Sequence, residues 1–116
     1  MERLAPASRV STPDPTRLLM FGEALAYAGR RAEAMEVATR VLSLPMLVRH
    51  AYMRDIVQQG VALIYTLVGQ QDKAIDLLDI LLRRNDYPLT TAWLRTDPTL
   101  APLRGNARFE RLIAHQ

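Results

Sequence analysis

The chain has 116 residues, and 49% of them are hydrophobic, which fits one domain with a core of its own. It contains no cysteine, which excludes disulfides and thiolate metal sites. The net charge of +3 is mild, and all but one of the 15 basic residues are arginines scattered along the chain. This distribution favours a solvated, arginine-rich surface and disfavours nucleic-acid binding.

The distribution of apolar residues indicates in which cellular compartment the protein is expected. No apolar run reaches the ~18 residues that a membrane helix needs. The first residues are rich in Pro, Ser and Thr and lack the apolar segment of a secretory signal. We therefore expect a cytoplasmic protein without a membrane segment, in which residues 1–14 form a flexible lead or linker.

The first helix is predicted over 16–28. Asp14 is a good N-cap, Pro15 is favoured at the first helical position, and Gly29 is typical of a C-terminal cap. Three- and four-residue spacing predicts its inward face: Leu18, Phe21, Leu25 and Ala28. A second helix, predicted over 31–43, ends before Pro45.

A second pair of helices follows the same plan. The third helix is predicted over 46–68, with a break near 49–51 and a close contact at Gly60, where a glycine weakens a helix by ~1 kcal/mol. Its apolar stripe is Val57, Val61, Ile64, Tyr65 and Val68. Gly69 ends it, and the fourth helix is predicted over 71–84.

The two pairs form an internal repeat. Gly29 corresponds to Gly69 and Ala34 to Ala74, both at an offset of 40 residues. The repeat predicts an all-α fold of two antiparallel helical hairpins over 15–88, stacked as a short α-solenoid.

The last residues, 89–116, depart from the repeat and predict a cap of short helices. Thr90 or Thr91 caps the first of them, Asp97-Pro98 starts the next, and Asn106 caps a last helix over 107–115. A large aromatic has much area to bury, so Trp93 is expected to plug a small core.

The hairpins resemble tetratricopeptide repeats, in units spanning about 15–48 and 55–88. The residues that carry the resemblance are Gly22, Gly29, Ala34 and Pro45 in the first unit and Ala62, Tyr65, Gly69 and Ala74 in the second. The early tryptophan of that pattern is missing, because Leu18 and Gln58 stand in its place.

The tail adds a second resemblance, to the C-terminal ending of a class of bacterial tetratricopeptide proteins. Proteins of that class often carry an upstream adenylate cyclase, protein kinase or winged-helix domain. The shared residues are Leu94, Asp97-Pro98, Leu103-Arg104 and Arg108-Phe109, and Ala107 replaces the proline usual before the last pair. The resemblance implies a C-terminal interaction module, or a stand-alone relative of one, to which no enzymatic activity carries over.

In such proteins the first helices of successive repeats line a concave groove that holds a peptide or protein segment. The resemblance places seven residues of this chain there: Leu19, Met20, Glu23, Tyr27, Gln59, Leu63 and Thr66. A clamp for a chain terminus is not implied, because Leu19 and Glu23 stand where it would need Lys and Asn. The competing interpretation is that Leu19, Met20 and Leu63 belong to the core or lie under the tail.

Other candidate sites favour structural interpretations. His50 and His115 have no second ligand at metal spacing, so we predict no metal site. Acidic residues recur along the fourth helix at Asp72, Asp76 and Asp79, which is typical of a solvated outer face rather than an acid–base pair. The Arg30-Arg31 and Arg83-Arg84 pairs suit helix ends and lack interleaved aromatics for nucleic-acid stacking.

We therefore predict no catalytic residues and no cofactor. The expected function is that of a scaffold or adaptor that binds a partner protein or peptide, with homo-oligomerisation left open because two repeats leave apolar surface uncovered. The alternative is a regulatory or sensing domain of a bacterial signalling protein or transcription regulator. Nucleic-acid binding is the weaker alternative.

Overall fold

The structure is a computed structural model, and it describes residues 14–84 and 89–114. Within these residues the chain forms seven α-helices and one 3₁₀ helix, and no strand. They are α1 (Pro15–Tyr27), α2 (Arg31–Leu42), α3 (Met46–Arg49), α4 (Ala51–Leu67), α5 (Gln71–Leu82), α6 (Thr91–Thr96), the 3₁₀ helix (Pro98–Leu103) and α7 (Ala107–Ala114). The all-α prediction is confirmed for this part of the chain.

The predicted N-caps are present at the starts of the helices. The Asp14 carboxylate accepts a hydrogen bond from the Thr16 N–H at 3.0 Å, so α1 begins where Asp and Pro predicted it. Thr90 accepts from the Trp93 N–H at 3.1 Å and starts α6. Asn106 accepts from the Arg108 N–H at 2.9 Å and starts α7.

Two glycines reverse the chain. Gly29 has φ +81° and Gly69 has φ +87°, the left-handed region that glycine enters without steric cost. In each turn the next N–H reaches back to a helical carbonyl, from Arg30 to Leu25 at 2.9 Å and from Gln70 to Tyr65 at 2.8 Å. These turns pack α1 against α2 and α4 against α5.

Helix α4 is the centre of the molecule, because it contacts α1, α2, α3, α5 and the 3₁₀ helix. Its apolar stripe is buried as predicted, with Val57, Val61 and Ile64 fully inaccessible to solvent. The break predicted near 49–51 falls at His50, whose extended backbone separates α3 from α4.

The inward face predicted for α1 is correct at Leu25 and in part at Leu18, which is half-buried, but it is wrong at Phe21 and Ala28. Phe21 and Ala28 are exposed, whereas the buried residues are Pro15, Leu19, Gly22, Leu25 and Ala26. The reason is that α1 packs against both α2 and α4. A Cβ atom on Gly22 would lie 2.7 Å from Ile64 Cδ1 and 3.1 Å from Val37 Cγ1, so the missing side chain makes room for both helices.

The C-terminal segment folds back onto α4 and α5. Leu94, Leu103 and Phe109 are fully buried. The Gln71 side chain connects it to α5, since its Nε2 donates to the Pro102 carbonyl at 3.0 Å and its Oε1 accepts from Asn106 Nδ2 at 2.8 Å. The C-terminal segment is therefore held to α5 both by buried apolar side chains and by two hydrogen bonds of Gln71.

Trp93 does not plug the core, contrary to expectation. Its side chain is 38% exposed, and Leu94 occupies the inward position of α6 instead. With Thr90 as N-cap, α6 turns Leu94 and Thr91 toward the protein, which leaves the indole at the surface.

Some predictions fall on residues 1–13, 85–88 and 115–116. The predicted lead or linker, except for Asp14, and His115 therefore lie outside the described residues. Among the residues that are described, no helix combines the length and hydrophobicity required to cross a bilayer.

Candidate partner-binding cavity

A cavity of about 390 Å³ lies between α1, α4, α5 and the C-terminal segment. Most of its wall is apolar, and a few polar groups interrupt it, as is usual for ligand pockets of this size. The residues that line it are Leu19, Glu23, Ile56, Gln59, Gly60, Ala62, Leu63, Leu78, Trp93, Thr99 and Leu100.

Four of the seven predicted groove residues meet in this cavity. Leu19 and Glu23 lie one turn apart on α1, and Gln59 and Leu63 lie one turn apart on α4. Because α1 packs directly on α4, these two pairs face a common space. The structure therefore brings together residues separated by 40 positions in the chain.

The other three predicted groove residues lie elsewhere. Met20 and Tyr27 are exposed on α1 but are not part of the cavity wall. Thr66 is buried, and its hydroxyl donates to the Ala62 carbonyl one turn earlier at 2.8 Å. Its side chain is thus directed at its own helix and not at the cavity.

The sequence interpretation missed the wall that the tail contributes. Trp93 of α6 and Thr99 and Leu100 of the 3₁₀ helix line the cavity opposite α1. The tail was predicted to cover the repeats, but no local pattern indicates which of its side chains meet α1 and α4. Trp93, the large aromatic of the tail, was the one sequence signal that could have indicated that the tail lines a cavity.

Close packing beside the cavity depends on a glycine. A Cβ atom on Gly60 would lie 2.8 Å from both methyl carbons of Leu19. The missing side chain lets Leu19 seat against α4, where it is 7% exposed and forms part of the cavity wall. The close contact predicted at Gly60 is confirmed.

The opposite wall is held by a hydrogen-bonded cap. The Asp97 carboxylate accepts from the Thr99 N–H at 3.0 Å and from the Thr99 hydroxyl at 2.8 Å. The Arg104 guanidinium donates to the carbonyls of Arg95 and Asp97 at 2.6 and 3.0 Å. The turn between α6 and the 3₁₀ helix, and with it the position of Trp93, is therefore fixed by several bonds.

Glu23 is the charged group of the cavity. Of the described residues that line it, Glu23 alone is ionisable, and none of the described residues donates a hydrogen bond to its carboxylate. Burial raises the pKa of Glu23 above its ordinary value of 4.5, because the apolar surroundings disfavour the charged form. The described part of the cavity wall therefore combines an apolar surface with one carboxylate that no described side chain neutralises.

The acidic row on α5 is paired with the tail. Arg108 of α7 donates to Asp76 at 2.7 Å and lies 3.5 Å from Asp72. Asp76 raises the pKa of the Arg108 guanidinium through its hydrogen bond. Asp79 pairs with Arg83 at 3.0 Å on the same helix. These carboxylates lie on the surface, where they act as ion-pair partners.

Asp55 is a buried carboxylate that the sequence interpretation did not single out. Its exposed fraction is 2%, and it pairs with Arg84 after α5 and with the neighbouring Arg54, whose Nε lies 3.3 Å away. The pair with Arg84 joins the first turn of α4 to the end of α5. Among the described residues, no cluster of His, Cys, Asp or Glu is arranged to hold a metal ion.

Comparisons with known proteins return no matching family model, no matching curated protein and no matching solved structure. Any functional assignment therefore depends on the sequence and on the geometry of the cavity.

Proposed function

We propose that the chain is a tetratricopeptide-like interaction module that binds a segment of a partner protein in the cavity between α1, α4 and the tail. The observation that carries the proposal is the convergence of Leu19, Glu23, Gln59 and Leu63 on one cavity. The module acts by holding its partner and performs no chemistry on it.

The order of helix contacts supports the repeat architecture. Helix α4 packs on both α1 and α2 while α5 packs on α4, which is the arrangement expected when a second hairpin stacks on a first. The glycine turns that close the two hairpins share the same backbone geometry and the same 40-residue offset.

The wall of the cavity suits a polypeptide segment. Apolar side chains such as Leu63 and Leu100 supply area to bury, and the polar groups Glu23 and Gln59 line the same wall. Peptide-binding grooves of helical proteins use this combination, in which apolar contacts contribute affinity and a few polar groups contribute specificity.

The test is selection of random linear peptides displayed on phage, with the full-length protein as bait. The affinity of selected peptides is then compared between the wild type and Leu63→Glu, which places a charge in the apolar wall. The matched control is Glu36→Gln, at an exposed position of α2 away from the cavity. We expect loss of binding in the Leu63 variant alone.

Two outcomes contradict the proposal. One is that no peptide is enriched over an empty support. The other is that enriched peptides bind the Leu63→Glu variant as tightly as the wild type. Both proteins must first be shown to melt cooperatively and to have the same circular dichroism spectrum.

A further inference from the structure

The described residues give the cavity wall one charged group and one exposed aromatic, and together these indicate what kind of side chain the cavity receives. Glu23 enters from α1 and Trp93 from α6, and both line the same 390 Å³ space. The volume is near the lower end of the ~300–1,000 Å³ typical of ligand pockets, which suits one anchoring side chain rather than a whole peptide.

Among the residues that the structure describes, Glu23 has no cationic partner. None of the described residues donates a hydrogen bond to it, and its apolar surroundings disfavour the ionised form. A carboxylate in this position is stabilised when an opposite charge arrives, because the pair interacts in a medium of lower dielectric constant than water.

Trp93 offers a second contact for the same charge. Trp93 is 38% exposed and lines the cavity, so an incoming group can reach its side chain. Of the aromatic side chains, tryptophan attracts cations most strongly over the face of its ring. Hydrogen-bonded caps at Thr90 and Asp97 fix the backbone at the two ends of the helix that carries Trp93.

The remaining wall suits the aliphatic part of a basic side chain. Leu19, Leu63 and Leu100 are apolar and lie on three different elements around the space. Lysine and arginine cover apolar surface with their methylene groups while the charged end seeks a polar partner. A short polar or acidic side chain would leave this apolar surface uncovered.

From these observations we infer that the cavity receives a lysine or arginine side chain of the partner segment, with its stem on the leucines and its charged end between Glu23 and Trp93. The inference rests on the proposed function, since it names the anchor of the segment that the cavity would bind. Charge complementarity selects this occupant, because Glu23 is the only ionisable group that the described residues contribute to the wall.

The test starts from the phage-displayed random linear peptides selected on the full-length protein. We expect the enriched sequences to share one Lys or Arg beside apolar residues. For one such peptide, the basic residue is replaced by citrulline or norleucine, which keep the length of the side chain and remove its charge. Binding is measured by the fluorescence of Trp93, the one tryptophan of the chain.

Replacement of the charged group is expected to weaken binding about tenfold, which corresponds to ~1.4 kcal/mol. Glu23→Gln should weaken binding of the basic peptide by a similar factor and leave binding of the citrulline peptide unchanged. Glu36→Gln, which removes a glutamate outside the cavity, should change neither affinity.

The outcomes separate this inference from the proposed function. Peptides that lose binding in Leu63→Glu but carry no shared basic residue, or bind equally to Glu23→Gln, overturn the inference and leave the proposed function standing. Absence of any cavity-dependent peptide overturns both. Free arginine amide that saturates the site as tightly as the peptide also overturns the inference, because it indicates a small-molecule site.

Discussion

Leu19 of α1 rests directly on Gly60 of α4, with both of its methyl carbons 2.8 Å from where a Cβ on Gly60 would lie. This contact brings the two helices that line the cavity together and makes Leu19 part of the cavity wall. Gly22 has the corresponding role on α1, but it faces Ile64 and Val37 in the closed core.

These two glycines provide a matched pair of substitutions. Alanine gains ~1 kcal/mol of helix propensity at either position. In Gly22→Ala the new methyl group meets both Ile64 and Val37 in the closed core, where Ile64 is fully buried, so we expect net destabilisation of about 1–2 kcal/mol. In Gly60→Ala the Leu19 side chain can shift into the cavity, so the net change should stay within ~1 kcal/mol.

Urea denaturation of both variants measures the difference between their free energies of unfolding. Gly60→Ala should also weaken binding of cavity-dependent peptides, because the displaced Leu19 occupies part of the space. Equal stabilities for the two variants would contradict this account of the packing.

The glycine turns give a second prediction. Gly29 and Gly69 have open space around them, so an added methyl group meets no neighbour, but the positive φ strains any other L-residue. Gly29→Ala and Gly69→Ala should each lower the free energy of unfolding by about 1–2 kcal/mol. Gly29→Asn should cost less, because asparagine tolerates the left-handed conformation. Thermal melting of the three variants measures the order of their stabilities, and an alanine variant as stable as the wild type would refute the prediction.

The buried ion pair gives a third prediction. Asp55→Asn leaves the Arg84 guanidinium without its charged partner, and Arg84 is itself largely covered. We expect a loss of about 2 kcal/mol, less than the ~3–5 kcal/mol of a fully buried pair because Arg84 retains some access to water. The control is Asp79→Asn, which breaks a surface pair with Arg83 and should cost no more than ~1 kcal/mol. Chemical denaturation at neutral pH measures both, and similar losses would contradict the prediction.

The tail gives a fourth prediction. Phe109 is fully buried, so Phe109→Ala should cost about 3–5 kcal/mol, whereas Phe109→Leu keeps most of the apolar volume and should cost far less. Deletion of residues 89–116 removes Leu94, Leu103 and Phe109 together and should yield an unfolded or aggregated protein. A soluble 1–88 fragment that melts cooperatively would show that α1 to α5 suffice without the tail.

The pH dependence of stability gives a fifth prediction. Burial raises the pKa of Glu23 above 4.5, so the folded protein binds this proton more tightly than the unfolded chain does. The stability from this proton is fully present below pH 4.5 and is lost as the pH rises through the folded-state pKa. Relative to the wild type, Glu23→Gln should therefore gain stability between pH 4.5 and neutral pH.

Melting temperatures of the wild type and Glu23→Gln, measured across this pH range, show whether the variant gains or loses stability relative to the wild type as the pH rises. Glu36→Gln, which removes a carboxylate at an exposed position outside the cavity, is the control for the loss of one negative charge. A Glu23→Gln variant that becomes less stable relative to the wild type as the pH rises would contradict a desolvated carboxylate at this position.

Local chemistry determined much of the architecture from the sequence alone. Asp14 and Pro15 set the start of α1, Gly29 and Gly69 set the two reversals, and Asn106 set the start of α7, because caps and turns depend on a few adjacent residues. The inward stripe of α4 was also readable, since a helix surrounded by neighbours buries its apolar residues wherever they lie.

Tertiary packing alone decided the rest. Leu19 and Phe21 lie two positions apart on α1, and the close approach of adjacent helices at Gly22 and Gly60 determines that Leu19 is buried and Phe21 exposed. Trp93 lines the same cavity as residues of α1 and α4 only because the chain folds back over many residues. The hydrophobic effect is non-directional, so the sequence pattern does not predict which distant side chains share a cavity. The cavity is thus a product of long-range packing, whereas the helices around it follow from local residues.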